Sequence, residues 1–347
     1  MAQIHVENGS WPTLLADNHR SGGGGRWPAR NPTKIRWRLR LDNSIRSSPV
    51  LSAETLYVTC FDGKLHAINA QIGRHIWKFE ADAPLHSTPS LAGDKILFGC
   101  NSGKVYAVAR DSGRKLWEAA TRGEVWTSPV VLGDAVFFGS ADGRFYAVDL
   151  KTGRPRWVRE LGGRIYSTAC VTPRQVFFGC SDSKIYSLDT SSGKVIWSTP
   201  TGNGVNSSPA LAENTVLIGS QDFSFYALEA ASGKVRWKIQ TGLGISCSPA
   251  VGGSTAFIGS KEGYLYAADI PSGRLLWKVR VGRIVDAPPV VAGSVVCGQA
   301  SGVYALDVQT GRPVWRAFLG FSVQSSPVLA GNVIYLASSE GEIYALA

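Results

Sequence analysis

The sequence has 347 residues, a formal net charge of +10, 44% hydrophobic residues and 39 glycines, which is enough apolar material for one large core. No run of eighteen apolar residues occurs, which excludes a membrane-spanning helix, and Met1-Ala2-Gln3-Ile4-His5 lacks the basic and apolar regions of a secretory signal. The chain therefore reads as cytoplasmic as written, or as exported if a signal peptide has been removed.

In chain order, residues 1–34 read as an irregular strap with a flexible glycine-rich stretch, Ser21 to Gly25. From residue 35 a repeat takes over. Tryptophans fall at Trp37, Trp77, Trp117, Trp157, Trp197, Trp237, Trp277 and Trp315, with successive differences of 40 six times and then 38. A period near forty with four strand-like stretches per unit predicts an all-β, eight-bladed propeller over residues 35–347, because one sheet buries both faces only when neighbours pack against it.

One unit shows the elements. Ser128-Pro129-Val130-Val131 opens an inner strand, Ala135 to Gly139 forms the second, Arg144 to Val148 the third, and Arg154 to Val158 the outer strand around Trp157. Glycine-containing turns separate them. The chain ends at Ala347 after only three strands of its last unit, so the N-terminal strand around Ile35 to Leu41 is expected to pair with Glu342 to Leu346 and close the ring. The third strand carries Tyr106, Tyr146, Tyr186, Tyr226, Tyr266, Tyr304 and Tyr344, which we assign to packing; the first unit places His66 there, expected to be half-buried and hydrogen-bonded. Arg74, Arg114, Arg154, Lys194, Lys234, Arg274 and Arg312 each follow the glycine of an equivalent turn, so the basic excess is turn chemistry and no nucleic-acid partner is expected.

Comparing the units isolates one slot that varies. Two residues before the Ser or Thr that precedes the inner-strand proline, or its equivalent, the chain reads Arg46, His86, Trp126, Tyr166, Asn206, Ser246, Asp286 and Gln324, each preceded by an aliphatic residue. A fixed aliphatic neighbour keeps the register, so these side chains are expected to ring the mouth of a central channel. The turns between second and third strands would add Phe61, Asn101, Asp142, Asp182, Phe223 and Glu262. Aromatic walls with convergent polar groups make a small-molecule pocket. In a metal-independent acid/base enzyme of hydrolase, lyase or cyclase type, His86 or Asp286 would be the general base, Tyr166 the acid or donor, Arg46 the oxyanion partner and Trp126 a stacking wall. Asn206, Ser246 and Gln324 would orient substrate, and Cys247 would be a nucleophile only with a depressed pKa.

The recurring Ser-Ser-Pro, Gly-Ser, Tyr-Ala-Leu-Asp and Ser-Gly-Lys with Trp resembles pyrroloquinoline-quinone-type propeller repeats over Ile35 to Ala347, and Trp11-Pro12 with Asn18-His19-Arg20-Ser21-Gly22 resembles their lead-in. The resemblance implies the fold and offers two further functions. One is a non-catalytic protein-interaction scaffold similar to outer-membrane assembly propellers. The other is a dehydrogenase holding pyrroloquinoline quinone against an adjacent-cysteine disulfide beside calcium. Cys60, Cys100, Cys170, Cys180, Cys247 and Cys297 include no adjacent pair, and no calcium-loop or zinc-ligand spacing appears, so free thiols, no cofactor and no metal are expected.

Overall fold

The computed structural model describes residues 34–299, 302–318 and 323–347, and every regular element among them is a β-strand. All of the expected 1–34 strap except Lys34 lies outside the described residues, as does the side chain of Cys297. The strands form eight four-stranded antiparallel sheets, the blades of a propeller. Blades I to VII cover residues 50–80, 90–120, 130–160, 170–200, 210–240, 250–280 and 290–318. Blade VIII joins both ends of the chain: Ile35–Arg40 pairs with Glu342–Leu346, and Lys34 and Ala347 exchange backbone hydrogen bonds of 3.1 and 2.9 Å.

From Trp37 through Trp277, the repeated tryptophan bolts its blade to the next. Trp157 sits opposite Ala147, where a bulge interrupts the pairing of third and outer strands. Its indole N–H donates to Thr190 O of the following blade at 3.0 Å. The same bond runs from Trp37 to Ala70 O (2.8 Å), Trp117 to Leu150 O (3.0 Å) and Trp197 to Ala230 O (2.9 Å). The ring lies on the turn glycine of that next blade. At Gly153 a Cβ would stand 2.6 Å from Trp117 and φ is +70°, so both space and backbone demand glycine. This joins the Ser-Gly-Lys turn and the tryptophan into one contact. Between blades, strand residues such as Leu97, Val136 and Phe138 close a continuous apolar layer with Val125 of the loop before the inner strand.

Nearer the axis, a belt of hydroxyl groups links the inner strands. The backbone N–H of Ser48 donates to Thr88 Oγ1, Thr88 N–H to Ser128 Oγ, Ser128 N–H to Thr168 Oγ1, Thr168 N–H to Ser208 Oγ and Ser208 N–H to Ser248 Oγ. Ser326 N–H continues the belt to Ser48 Oγ at 2.9 Å, joining blade VIII to blade I. Blade VII interrupts it, because Pro288 offers neither a hydroxyl nor an N–H; Ser326 Oγ donates instead to Pro288 O at 3.2 Å.

Candidate functional site

Each member of the variable slot is set by the aliphatic residue before it. Ile45, Leu85, Val125, Ile165, Val205, Ile245 and Val285 are fully buried. Val125 covers Gly99 so closely that a Cβ there would lie 2.4 Å from its carbonyl oxygen, and its N–H donates to Cys100 O at 3.1 Å. With that residue pinned inward, its successor points to the axis. All eight slot residues, Arg46, His86, Trp126, Tyr166, Asn206, Ser246, Asp286 and Gln324, line one central cavity of about 580 Å³, together with Ser48, Thr88, Ser128, Thr168 and Pro288.

The lining is asymmetric. Over blades I to IV, the Arg46 guanidinium stands 5.3 Å from the Phe61 ring, Phe61 meets His86 edge-on at 5.6 Å, and His86 stacks on Trp126 at 4.7 Å and 7°. Trp126 in turn contacts Tyr166 at 4.8 Å, and Arg164 donates to the Tyr166 hydroxyl at 3.2 Å. Burial, with the Arg46 charge adding to it, pushes the His86 imidazole down to about 4, so it is neutral at pH 7. The Trp126 indole N–H is shielded from solvent and has no acceptor among the described residues.

Blades V to VIII are polar. Lys261 Nζ donates to Gln221 Oε1 at 3.1 Å, and Gln221 Nε2 donates to Ser246 Oγ at 2.9 Å. Asp286 is open to the cavity yet crowded by its walls; desolvation raises its carboxyl above the usual range, and Lys261 pulls it partly back. Gln221 and Lys261 were missed by the sequence reading. They occupy the turn position of Phe61 and Asn101, so holding that one offset constant across blades would have found them.

Three expected rim residues belong elsewhere. Asp142 and Asp182 each accept from the third-strand tyrosine of their own blade, Tyr146 and Tyr186, at 2.6 Å, and Glu262 is tied to Tyr266 in the same way. Their oxygens buttress the turn, and none of the six expected turn residues, Asn101 and Phe223 included, is among the cavity-lining residues. Cys247 is corrected as well: it is fully buried, its thiol donates to Ala287 O at 3.3 Å, and it lies outside the lining. It fills the slot in which Ser207 bonds Cys247 O at 2.8 Å. Phe61 remains at the rim through its contact with His86.

A second cluster lies in blade I, in the turn where no metal set was expected. Ligand atoms of Cys60, Asp62 and His66 all fall within 4.8 Å of one another. His66 is more buried than expected, 1% exposed, with Nε2 3.0 Å from Asp62 Oδ2 and Nδ1 3.0 Å from His75 Nε2. Burial raises the Cys60 thiol to about 12. Among the described residues, Cys60, Cys100, Cys170, Cys180 and Cys247 are buried and form no disulfide.

The cavity lining is poor in anionic donors for a calcium-held quinone. Calcium takes six to eight oxygen ligands, whereas Asp286 is the one carboxylate among the cavity-lining residues and the lining hydroxyls of Thr88, Ser128 and Thr168 are committed to the belt. Among the described residues no helix is long and apolar enough to cross a membrane.

Solved structures carry the same fold. BamB from Moraxella catarrhalis superposes with a TM-score of 0.78 at 18% identity, covering 90% of this chain and 99% of that one. Quinohemoprotein alcohol dehydrogenase from Comamonas testosteroni gives 0.83 at 14% identity over 97% and 80%, and a europium-containing methanol dehydrogenase 0.82 at 12% over 99% and 98%. At such identities the likeness shows the fold alone. No curated protein matches the chain in sequence. The family described as outer membrane protein assembly factor BamB matches residues 29–199 and 226–347, and with the match covering most of its length the chain belongs to that family.

Proposed function

We propose that the chain is a binding propeller that seats a small polar organic ligand in its central cavity. The observation that carries this reading is the convergence of eight unlike side chains on one concavity of about 580 Å³, a size within the range of ligand pockets. The stacked rings of His86 and Trp126 turn their faces to each other, so a ligand meets ring edges, the neutral imidazole as acceptor, and the Tyr166 hydroxyl. Arg46 supplies an anion partner, and Asp286, with its raised carboxyl, shares a proton with a ligand group or accepts from one. Asn206, Ser246 and Gln324 complete the orientation. A neutral His86 suits hydrogen bonding better than general-base work near pH 7, for which a pKa close to the operating pH is best.

Native mass spectrometry of the purified full chain, followed by a metabolite screen by calorimetry, tests the proposal. A retained or screened ligand that binds at least tenfold more weakly to Trp126→Ala and to Asp286→Asn supports it. A ligand indifferent to both variants overturns it. Turnover of that ligand, abolished by His86→Ala or Asp286→Ala, would restore the acid/base reading.

A protein-scaffold reading is favoured by a separate observation and by the family description. Phe223, Leu243 and Ile284 are 43%, 47% and 48% exposed on the turns and loops of blades V to VII, and Phe223 takes φ +71° where Gly143 and Gly263 stand in other blades. A bulky residue in that left-handed conformation is strained. Under this reading an affinity capture retains a protein partner from wild type and loses it with Leu243→Asp, while the cavity variants capture normally.

A further inference from the structure

We infer that Cys60, Asp62 and His66 form a binding site for a divalent transition metal of the zinc class, with His75 as the residue that positions His66.

The propeller supplies its own control. Blade IV carries Cys180, Asp182 and Tyr186 at the same spacing as Cys60, Asp62 and His66. In blade IV the phenol donates to Asp182 at 2.6 Å, and a neutral tyrosine hydroxyl is a poor metal ligand. Blade I keeps the thiol and the carboxylate and replaces only the phenol with an imidazole, whose nitrogen lies 3.0 Å from Asp62 Oδ2. Thiolate, imidazole and carboxylate together are zinc-type donors, whereas calcium and magnesium prefer oxygen alone. The three ligand atoms converge within 4.8 Å, and Cys60 and His66 are 0% and 1% exposed, so water competes little for them.

A second departure in the same blade supports the first. His75 stands where blades IV and V have Val195 and Val235, and its Nε2 lies 3.0 Å from His66 Nδ1. A metal-binding histidine nearly always engages its other ring nitrogen in a hydrogen bond that fixes the tautomer. With the metal on Nε2, the His66 proton resides on Nδ1 and is donated to His75. Binding displaces the Cys60 thiol proton to solvent, and the fourth position of a tetrahedral ion is left to water.

The test uses the full chain, stripped with a chelator and titrated with zinc(II), and with cobalt(II) as the spectroscopic probe. Wild type is expected to retain a single zinc equivalent per chain after dialysis and to show the thiolate charge-transfer and tetrahedral bands of bound cobalt. His66→Tyr, which installs the residue native to this slot in blade IV, is expected to keep its fold by circular dichroism and to lose both signals. Cys60→Ser, with the serine that Ser140 supplies in blade III, should lose the charge-transfer band. His75→Val should weaken binding by roughly 10- to 100-fold. Wild type without stoichiometric zinc, or His66→Tyr binding as tightly as wild type, overturns the inference.

Discussion

At the seam between blades II and III, Trp117 lies on Gly153 and bonds Leu150 O at 3.0 Å. Forty residues on, Trp157 lies on Gly193 and bonds Thr190 O at the same distance. At the rim of the cavity, steps of forty give Trp126, Tyr166 and Asn206, each chemically unlike the last. Both regions share a backbone register. Where two blades bury against each other the contact admits one solution, so the residue recurs; where the strand faces the cavity, packing leaves the side chain unspecified. In a repeat protein, variation at constant register separates the candidate binding surface from the core.

That comparison can be broken experimentally. Trp117→Ala is expected to cost about 3–5 kcal/mol, the usual penalty for deleting a large buried aromatic, read by denaturant unfolding, with the central cavity's ligand affinity unchanged in the folded protein. Ser128→Ala removes the belt acceptor of Thr88 N–H and should cost about 1–3 kcal/mol, the range for a buried donor left unpaired. Trp126→Ala should cost under about 1 kcal/mol in unfolding while abolishing ligand retention; a loss as large as that of Trp117→Ala would make the rim another packing seam and end the contrast. The smallest effect concerns pH. His86 and His75 both lie near 4 in the folded chain against about 6.5 when unfolded, so the unfolded chain takes up more protons between those values. Stability is then full above about pH 6.5 and falls as pH drops toward 4. His86→Gln should flatten part of that slope and leave the His75 part.

The sequence reading reached the blades and the ring because both rest on periodicity, which the tryptophans and the aliphatic anchors carry openly. It misread features that depend on which way a turn residue points. Asp142 and Phe61 lie one position apart in equivalent turns, yet the carboxylate turns back to Tyr146 while the phenyl ring reaches His86. Cys247 follows Ser246 in the loop that leads into the inner strand, and its thiol points into the seam toward Ala287, away from the cavity. The blade I cluster escaped for a related reason. His75 lies in the outer strand, nine residues from His66, and only the pairing of the two strands brings the rings together.

The hydroxyl belt has a mechanical consequence. A ring of eight equal seams has no preferred place to part, since every opening costs the same and the strain is shared. Substituting a proline for one link gives the circle a clasp. The missing links at Pro288 are expected to make the sector that carries Asp286 the easiest to open, directly beside blade VIII, where Ile35–Arg40 pairs with Glu342–Leu346. Amide exchange should therefore be fastest along the inner strands flanking residue 288, and Pro288→Ser should slow it there while leaving the opposite side, around Thr88 and Ser128, as it was. The cavity would then be a vessel with one compliant wall, set by the amino acid at one position.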